Sequence, residues 1–148
     1  MVTDYIYRKF PHANSGQITR ARDKVICNST QAAIAVRKLA LHKYLLANNI
    51  QLSKEISKED VILSNIAYAD LIIDDWKLDP PKVLGDVFES VIGAVLVDSN
   101  FDYDVAAQVV KNMMEDVLHL LHPDIPPDPV SQFYIWVGKS RCQKVRFE

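Results

Sequence analysis

Through most of the chain, apolar residues recur at helical spacing rather than in alternation. Tyr5, Ile6 and Phe10 mark the end of a first helix over Thr3–Lys9, with no capping residue to begin it. Pro11–Gly16 reads as a turn, and Ser15 as the N-cap of a helix running to about Cys27. After Asn28-Ser29-Thr30, the positions Ile34, Leu39, Leu41 and Leu45, with interspersed alanines, predict a long helix over Thr30–Ala47. Residues 48–58 are polar and read as a loop. Lys58–Ile73 reads as a helix, broken over Asp74–Pro81, where Pro80-Pro81 sets a firm boundary. Val83–Val97 is the most hydrophobic stretch, and its length favours a buried helix over a strand. Phe101–Leu121 is amphipathic through Val105, Val109, Met113 and Val117. A proline-rich linker, Pro123–Pro129, precedes a short helix near Val130–Val137. Gln143–Glu148 alternates like the first strand of a sheet. The expected fold class is all-α with a β-like end.

Composition narrows the class. The chain of 148 residues, 49% hydrophobic and 24% charged, has the balance of a globular domain with its own core. No apolar run approaches the roughly 20 residues of a membrane span, and the charged start MVTDYIYRKF is not a signal peptide. The two cysteines, Cys27 and Cys142, lie far apart in sequence. They read as reduced thiols of an intracellular protein, in cytoplasm or nucleus. The net charge of −2 conceals a segregation: residues 1–50 carry eight Lys/Arg against two Asp/Glu, and residues 51–130 carry five against sixteen. Nucleic acid would therefore meet a local basic face in the first fifty residues, unless that region is simply a solvated helical surface.

Candidate chemistry sits in the apolar helix. Asp86 and Glu89 are three apart, hence on one face and one turn from each other. Lys82 precedes Asp86 by four, and Ser90 and Gly93 continue the stripe. If buried, two like charges need compensation, which a hard divalent cation supplies through carboxylate oxygen. Such an ion activates water and steadies charge on a phosphate. The spacing is equally compatible with a pair facing solvent at a helix N-terminus, favoured by the helix dipole. Gly93, in a helix interior, reads as a point of close backbone approach.

The segment Pro81-Lys82-Val83-Leu84-Gly85-Asp86-Val87-Phe88-Glu89-Ser90-Val91-Ile92-Gly93-Ala94, followed by Asp98-Ser99, resembles the second conserved segment of ribonuclease III domains. It is most similar to the second such domain of fungal and plant Dicers. Gly16-Gln17-Ile18-Thr19-Arg20-Ala21-Arg22, then Val25-Ile26-Cys27-Asn28, is similar to the family's Gly-x-Leu-Thr-x-x-Arg run ending at asparagine, and Leu41-His42-Lys43-Tyr44-Leu45 fits the helix after it. Asp128-Pro129-Val130 resembles the entry into a double-stranded-RNA-binding-type fold.

The resemblance implies a ribonuclease III endonuclease domain over residues 1–122. Residues 123–148 would be a linker and the start of a double-stranded-RNA-binding-like α/β module. It implies hydrolysis of double-stranded RNA with Mg²⁺ (or Mn²⁺), leaving a 5′-phosphate and a short 3′ overhang, in RNA processing and silencing. Asp86 and Glu89 match two of the four acidic metal ligands, and Lys82 a basic residue common before them in Dicers. The implied partners are double-stranded RNA and a second ribonuclease III domain. The family's first signature, a glutamate-rich run ending in Gly-Asp that carries the other two ligands, is expected before Met1. Without it, the 148 residues are expected to bind Mg²⁺ poorly and not to cleave RNA on their own. The competing reading is a non-catalytic ribonuclease III-fold RNA-binding or dimerisation module.

Two weaker signals point elsewhere. Asp98, Asn100, Asp102 and Asp104 imitate a calcium loop, but Tyr103 occupies the required glycine position, and Asp102 reads better as an N-cap. His119 and His122 lack a third ligand and read as cations near a helix C-terminus.

Overall fold

A computed structural model describes residues 1–46 and 48–139. Within them lie eight α-helices and no strand. In order these are α1 (Val2–Lys9), α2 (Ser15–Ile26), α3 (Asn28–Arg37), α4 (Ile50–Asn65), α5 (Tyr68–Asp74), α6 (Lys82–Asp98), α7 (Tyr103–Leu120) and α8 (Pro129–Lys139). Short 3₁₀ turns occupy Leu41–Tyr44 and Asp75–Lys77. The all-α expectation holds. The strand expected over Gln143–Glu148, and Cys142, lie outside the described residues.

Local chemistry accounts for most boundaries. The cap of α2 is Asn14, one residue before the expected Ser15: its side chain accepts from the Gln17 amide at 2.9 Å, and the Gln17 side chain accepts from the Asn14 amide at 2.8 Å. Asp102 caps α7, accepting from Asp104 N at 2.9 Å and Val105 N at 3.2 Å. Asp128 starts α8, accepting from Ser131 N at 3.0 Å, with Pro129 in the first helical position.

The segment 30–73 departs from expectation. The predicted helix over Thr30–Ala47 stops at Arg37, because Ala40 turns left-handed (φ 50°) and sends the chain into the Leu41–Tyr44 turn. No glycine or proline announces this break. Leu39 and Leu41 turn back onto the core instead of continuing the helix. The expected polar loop over 48–58 is the first half of α4, capped by Asn49, which accepts from Gln51 N and Leu52 N. Its core stripe is thin: Ile56 and Leu63 are buried and Leu52 packs beside them, while Val61 and Ile62 face outward. The helix predicted over Lys58–Ile73 is two helices, α4 and α5, parted at Ile66-Ala67.

The most hydrophobic helix is not the most buried one. In α6 only Leu84, Gly85 and Phe88 are buried, contrary to the expectation of a helix enclosed on all sides. The central element is α3, where every residue from Ser29 to Val36 is buried. Its alanines let neighbours close in from both sides. Ile34 and Ala35 join Ile6, Val25, Phe88, Met114 and Leu118 in one cluster. Ala32, Ala33 and Val36 join Ile56, Leu63, Leu71 and Leu84 in the other. Leu84 and Phe88, one turn apart, thus tie α6 to both clusters and fix its rotation. The face carrying Asp86 is left to solvent.

Candidate metal centre

The N-terminus of α6 is held by the segment before it. Lys24, buried in α2, forms an ion pair with Asp75. Ser29 donates to the carbonyls of Asp75 (3.3 Å) and Leu78 (3.4 Å), and the Asn28 side-chain amide donates to Pro80 O at 2.8 Å. The Asp75–Pro81 connection is thereby fastened to α2 and α3 at four points, and α6 starts from a fixed position.

Along α6, Gly85 faces Asn28 and Gln31 of α3. A Cβ at Gly85 would collide with the Asn28 amide oxygen and come within 3.1 Å of Gln31 Oε1. This is the close approach expected of Gly93, at which an added Cβ would meet nothing within 4 Å. One turn beyond Gly85, Gln31 Nε2 donates to Glu89 Oε1 at 2.9 Å. Asp86 pairs with Lys82, and its carbonyl accepts from Ser90 Oγ at 2.8 Å. The Asp86 carboxylate beside Lys82 raises the lysine's pKa above its ordinary value.

Asp86, Glu89 and Lys82 are all exposed, so the desolvation cost expected for a buried carboxylate pair does not arise. The solvent-facing geometry is the one present, and the chemical content lies in the spacing. Two carboxylates project one turn apart, one restrained by a carboxamide and one shared with an ammonium. Exposed ion pairs contribute little to stability, so Lys82 releases Asp86 at small cost. Among the described residues no group of three or more His, Cys, Asp or Glu is arranged to hold a metal ion. The donor set is nonetheless all hard oxygen, which fits Mg²⁺ or Mn²⁺ as two ligands of an octahedron completed by others. Asn28 belonged to the sequence pattern without a role, and Gln31 carried no signal at all. Their spacing of three gives a shared face on α3, but only the packing of α3 on α6 reveals what that face meets.

The basic first fifty residues are largely committed internally. Arg8 pairs with Asp4, Arg22 with Asp23, Lys24 with Asp75 and Lys38 with Asp116. Lys9 caps α7 by donating to Leu118 O at 2.6 Å and His119 O at 3.2 Å. Arg20 donates to Ile125 O, and Arg37 to Ile66 O while stacking 4.1 Å from the Tyr68 ring. Of the eight cations there, five hold elements together, while Arg8 and Arg22 pair with carboxylates of their own helices, so much of the segregated positive charge is spent on internal contacts.

This all-α architecture, with an acidic pair on the helix that follows a double proline, defines the class. Residues 1–100 match the Ribonuclease III domain, and the chain belongs to that family. Its relatives include Dicer proteins. The chain is 38% identical over 120 residues to Endoribonuclease Dicer homolog 4 of Oryza sativa subsp. japonica, covering 80% of this chain and 7% of that protein. It is 30% identical over 148 residues to Endoribonuclease Dicer homolog 2 of Arabidopsis thaliana, covering all of this chain and 10% of that protein. Ribonuclease 3-like protein 3 of Oryza sativa subsp. japonica is 31% identical over 141 residues, 95% of this chain and 45% of that protein. The chain thus spans a tenth or less of these two Dicers. No helix among the described residues is long and apolar enough to cross a membrane.

Proposed function

We propose that this chain supplies one half-site of a Dicer-type endoribonuclease acting on double-stranded RNA in RNA processing and silencing, as the second ribonuclease III domain of its parent. Residues 1–122 form the nuclease domain, and residues 123–148 lead into a double-stranded-RNA-binding-like module. The observation that carries this reading is the exposed pair Asp86 and Glu89, one turn apart on α6, with Glu89 held by Gln31 of α3. The carboxylates would hold Mg²⁺ or Mn²⁺ together with acidic groups from elsewhere in the parent protein. The bound ion would supply an activated water and charge stabilisation at the phosphate. Lys82, exposed at the first residue of α6, exchanges its carboxylate partner for a phosphate oxygen of the RNA and orients the backbone. The partner is read through shape and backbone rather than base edges.

The pairing partner is a second ribonuclease III domain. Its seat is the outer half of α6, where Val91, Gly93, Ala94, Val95, Val97 and Asp98 form an open, largely apolar face. Val97 there is 61% exposed. The same apolar face is what favours the second reading, a non-catalytic pairing module. Cleavage of a long duplex by the full-length parent distinguishes the two. Asp86→Ala or Glu89→Ala should stop cutting of one strand and leave nicked duplex. Unchanged cleavage in both variants refutes a catalytic role for this half-site, and loss of cutting on both strands refutes the division of labour between two domains.

A further inference from the structure

The interface of α3 and α6 contains more than apolar packing. Gln31 is 93% buried, since only 7% of its surface is exposed, and its carboxamide spans the space between Gly85 and Glu89. Its oxygen lies toward the backbone of Gly85, which has no side chain to fill that volume, and its nitrogen donates to Glu89 Oε1 at 2.9 Å. The reverse orientation would set two oxygens against each other at Glu89, so the network allows only one. Asn28, one turn earlier on α3, is anchored in the same way, to Pro80 O on one side and against Gly85 on the other. A long, flexible carboxylate on an exposed helix surface would otherwise sample several rotamers. Among the described residues, Asp86, with a shorter side chain, pairs with an exposed lysine alone.

We propose that Gln31 is a positioning residue that presents Glu89 to a divalent cation. The inference rests on the reading of Asp86 and Glu89 as metal ligands. Gln31 holds one carboxylate oxygen of an otherwise exposed side chain, which lowers the rotamer cost of binding for Glu89 alone. Groups that orient a ligating carboxylate in this way typically carry a 10–100-fold effect on metal affinity, roughly.

The test uses the 148-residue chain and Mn²⁺ alone, read by paramagnetic broadening of backbone amides, which detects millimolar binding. Unaltered chain should show broadening centred on Asp86–Ser90, and Glu89→Ala should lose it. Gln31→Met keeps the side-chain length and removes the donor. It should need about tenfold more Mn²⁺ for the same broadening at Glu89, with amide shifts outside α3 and α6 unchanged. Equal sensitivity in Gln31→Met and the unaltered chain overturns the positioning role while leaving the metal reading intact. Broadening that ignores Glu89→Ala, or never centres on this turn, overturns the metal reading and this inference with it. If Gln31→Met fails to fold, the side-chain amide protons of Gln31 are followed in metal-free chain. They should move on Glu89→Ala, and their failure to move refutes the contact on which the role depends.

Discussion

Gly85 and Gly93 stand eight residues apart on the same helix, and alanine at the two sites should change stability in opposite directions. In an exposed helix interior, alanine is better than glycine by about 1 kcal/mol, because it loses less backbone entropy on folding. At Gly93 nothing lies within 4 Å of the added Cβ, so Gly93→Ala should realise most of that gain. At Gly85 the same gain is opposed. The methyl collides with the Asn28 amide, whose nitrogen is held by Pro80 O at 2.8 Å, and presses on Gln31 Oε1 at 3.1 Å. Asn28 is short and has no free end to swing away, so either α6 shifts or the hydrogen bond is lost. Overpacking costs about 1–3 kcal/mol, and a forfeited hydrogen bond about 1 kcal/mol. The net expectation for Gly85→Ala is a loss of about 1–3 kcal/mol, against a gain of up to ~1 kcal/mol for Gly93→Ala. Urea unfolding, followed by circular dichroism at low micromolar concentration with equal m-values, gives both numbers. A stabilised Gly85→Ala variant would refute the close approach of α3 to α6, and with it the placement of Gln31 beside Glu89.

The remaining predictions concern the core, a thiol and a helix cap. Phe88 is fully buried in the core cluster that α6 shares with α3 and α7, so Phe88→Ala should cost about 3–5 kcal/mol; a loss under 1 kcal/mol by the same urea assay would contradict its place in the core. Burial pushes the Cys27 thiol up from its ordinary value, aided by the nearby Asp75 carboxylate. Iodoacetamide at pH 8 should therefore label Cys27 more slowly than an unfolded cysteine peptide, and equal rates would count against the packed joint between α2 and α3. Hydrogen bonds from the Ser131 hydroxyl and amide hold the Asp128 carboxyl below its usual 3.8. A depressed carboxyl contributes its stability above the unfolded value, and that contribution is lost as pH falls through the folded one. The first turn of α8 should accordingly stay formed at pH 4 and loosen on further acidification. A Ser131 amide resonance that titrates at or above 3.8 would argue against the cap.

The segment Pro81–Ala94 determined the family by itself, because its residues answer to chemistry local to one helix turn: a double proline to start α6, Asp86 and Glu89 at a spacing of three, Lys82 four before. Helix ends with side-chain caps, at Asn14, Asp102 and Asp128, were legible to within a residue or two for the same reason. The ends of α3 and α4 were not. Ala40 adopts a left-handed conformation that no local preference favours, and α4 keeps its place through a narrow stripe of Ile56 and Leu63 amid polar residues. Hydrophobicity likewise misplaced the centre of the molecule. It singled out α6, whereas the alanine-rich α3 is enclosed, because small side chains allow neighbours to approach from two sides. Charge counted along the sequence left open a basic face or a solvated helical surface, and tertiary contacts engage five of the eight cations in ion pairs and hydrogen bonds to backbone carbonyls. The sequence therefore contained the acidic pair. Only the packing of α3 on α6 decided that the pair faces solvent, that Gly85 rather than Gly93 is the tight point, and that Gln31 meets Glu89. Those facts depend on how two helices rotate about each other, and that rotation is set by Leu84 and Phe88 entering two separate clusters.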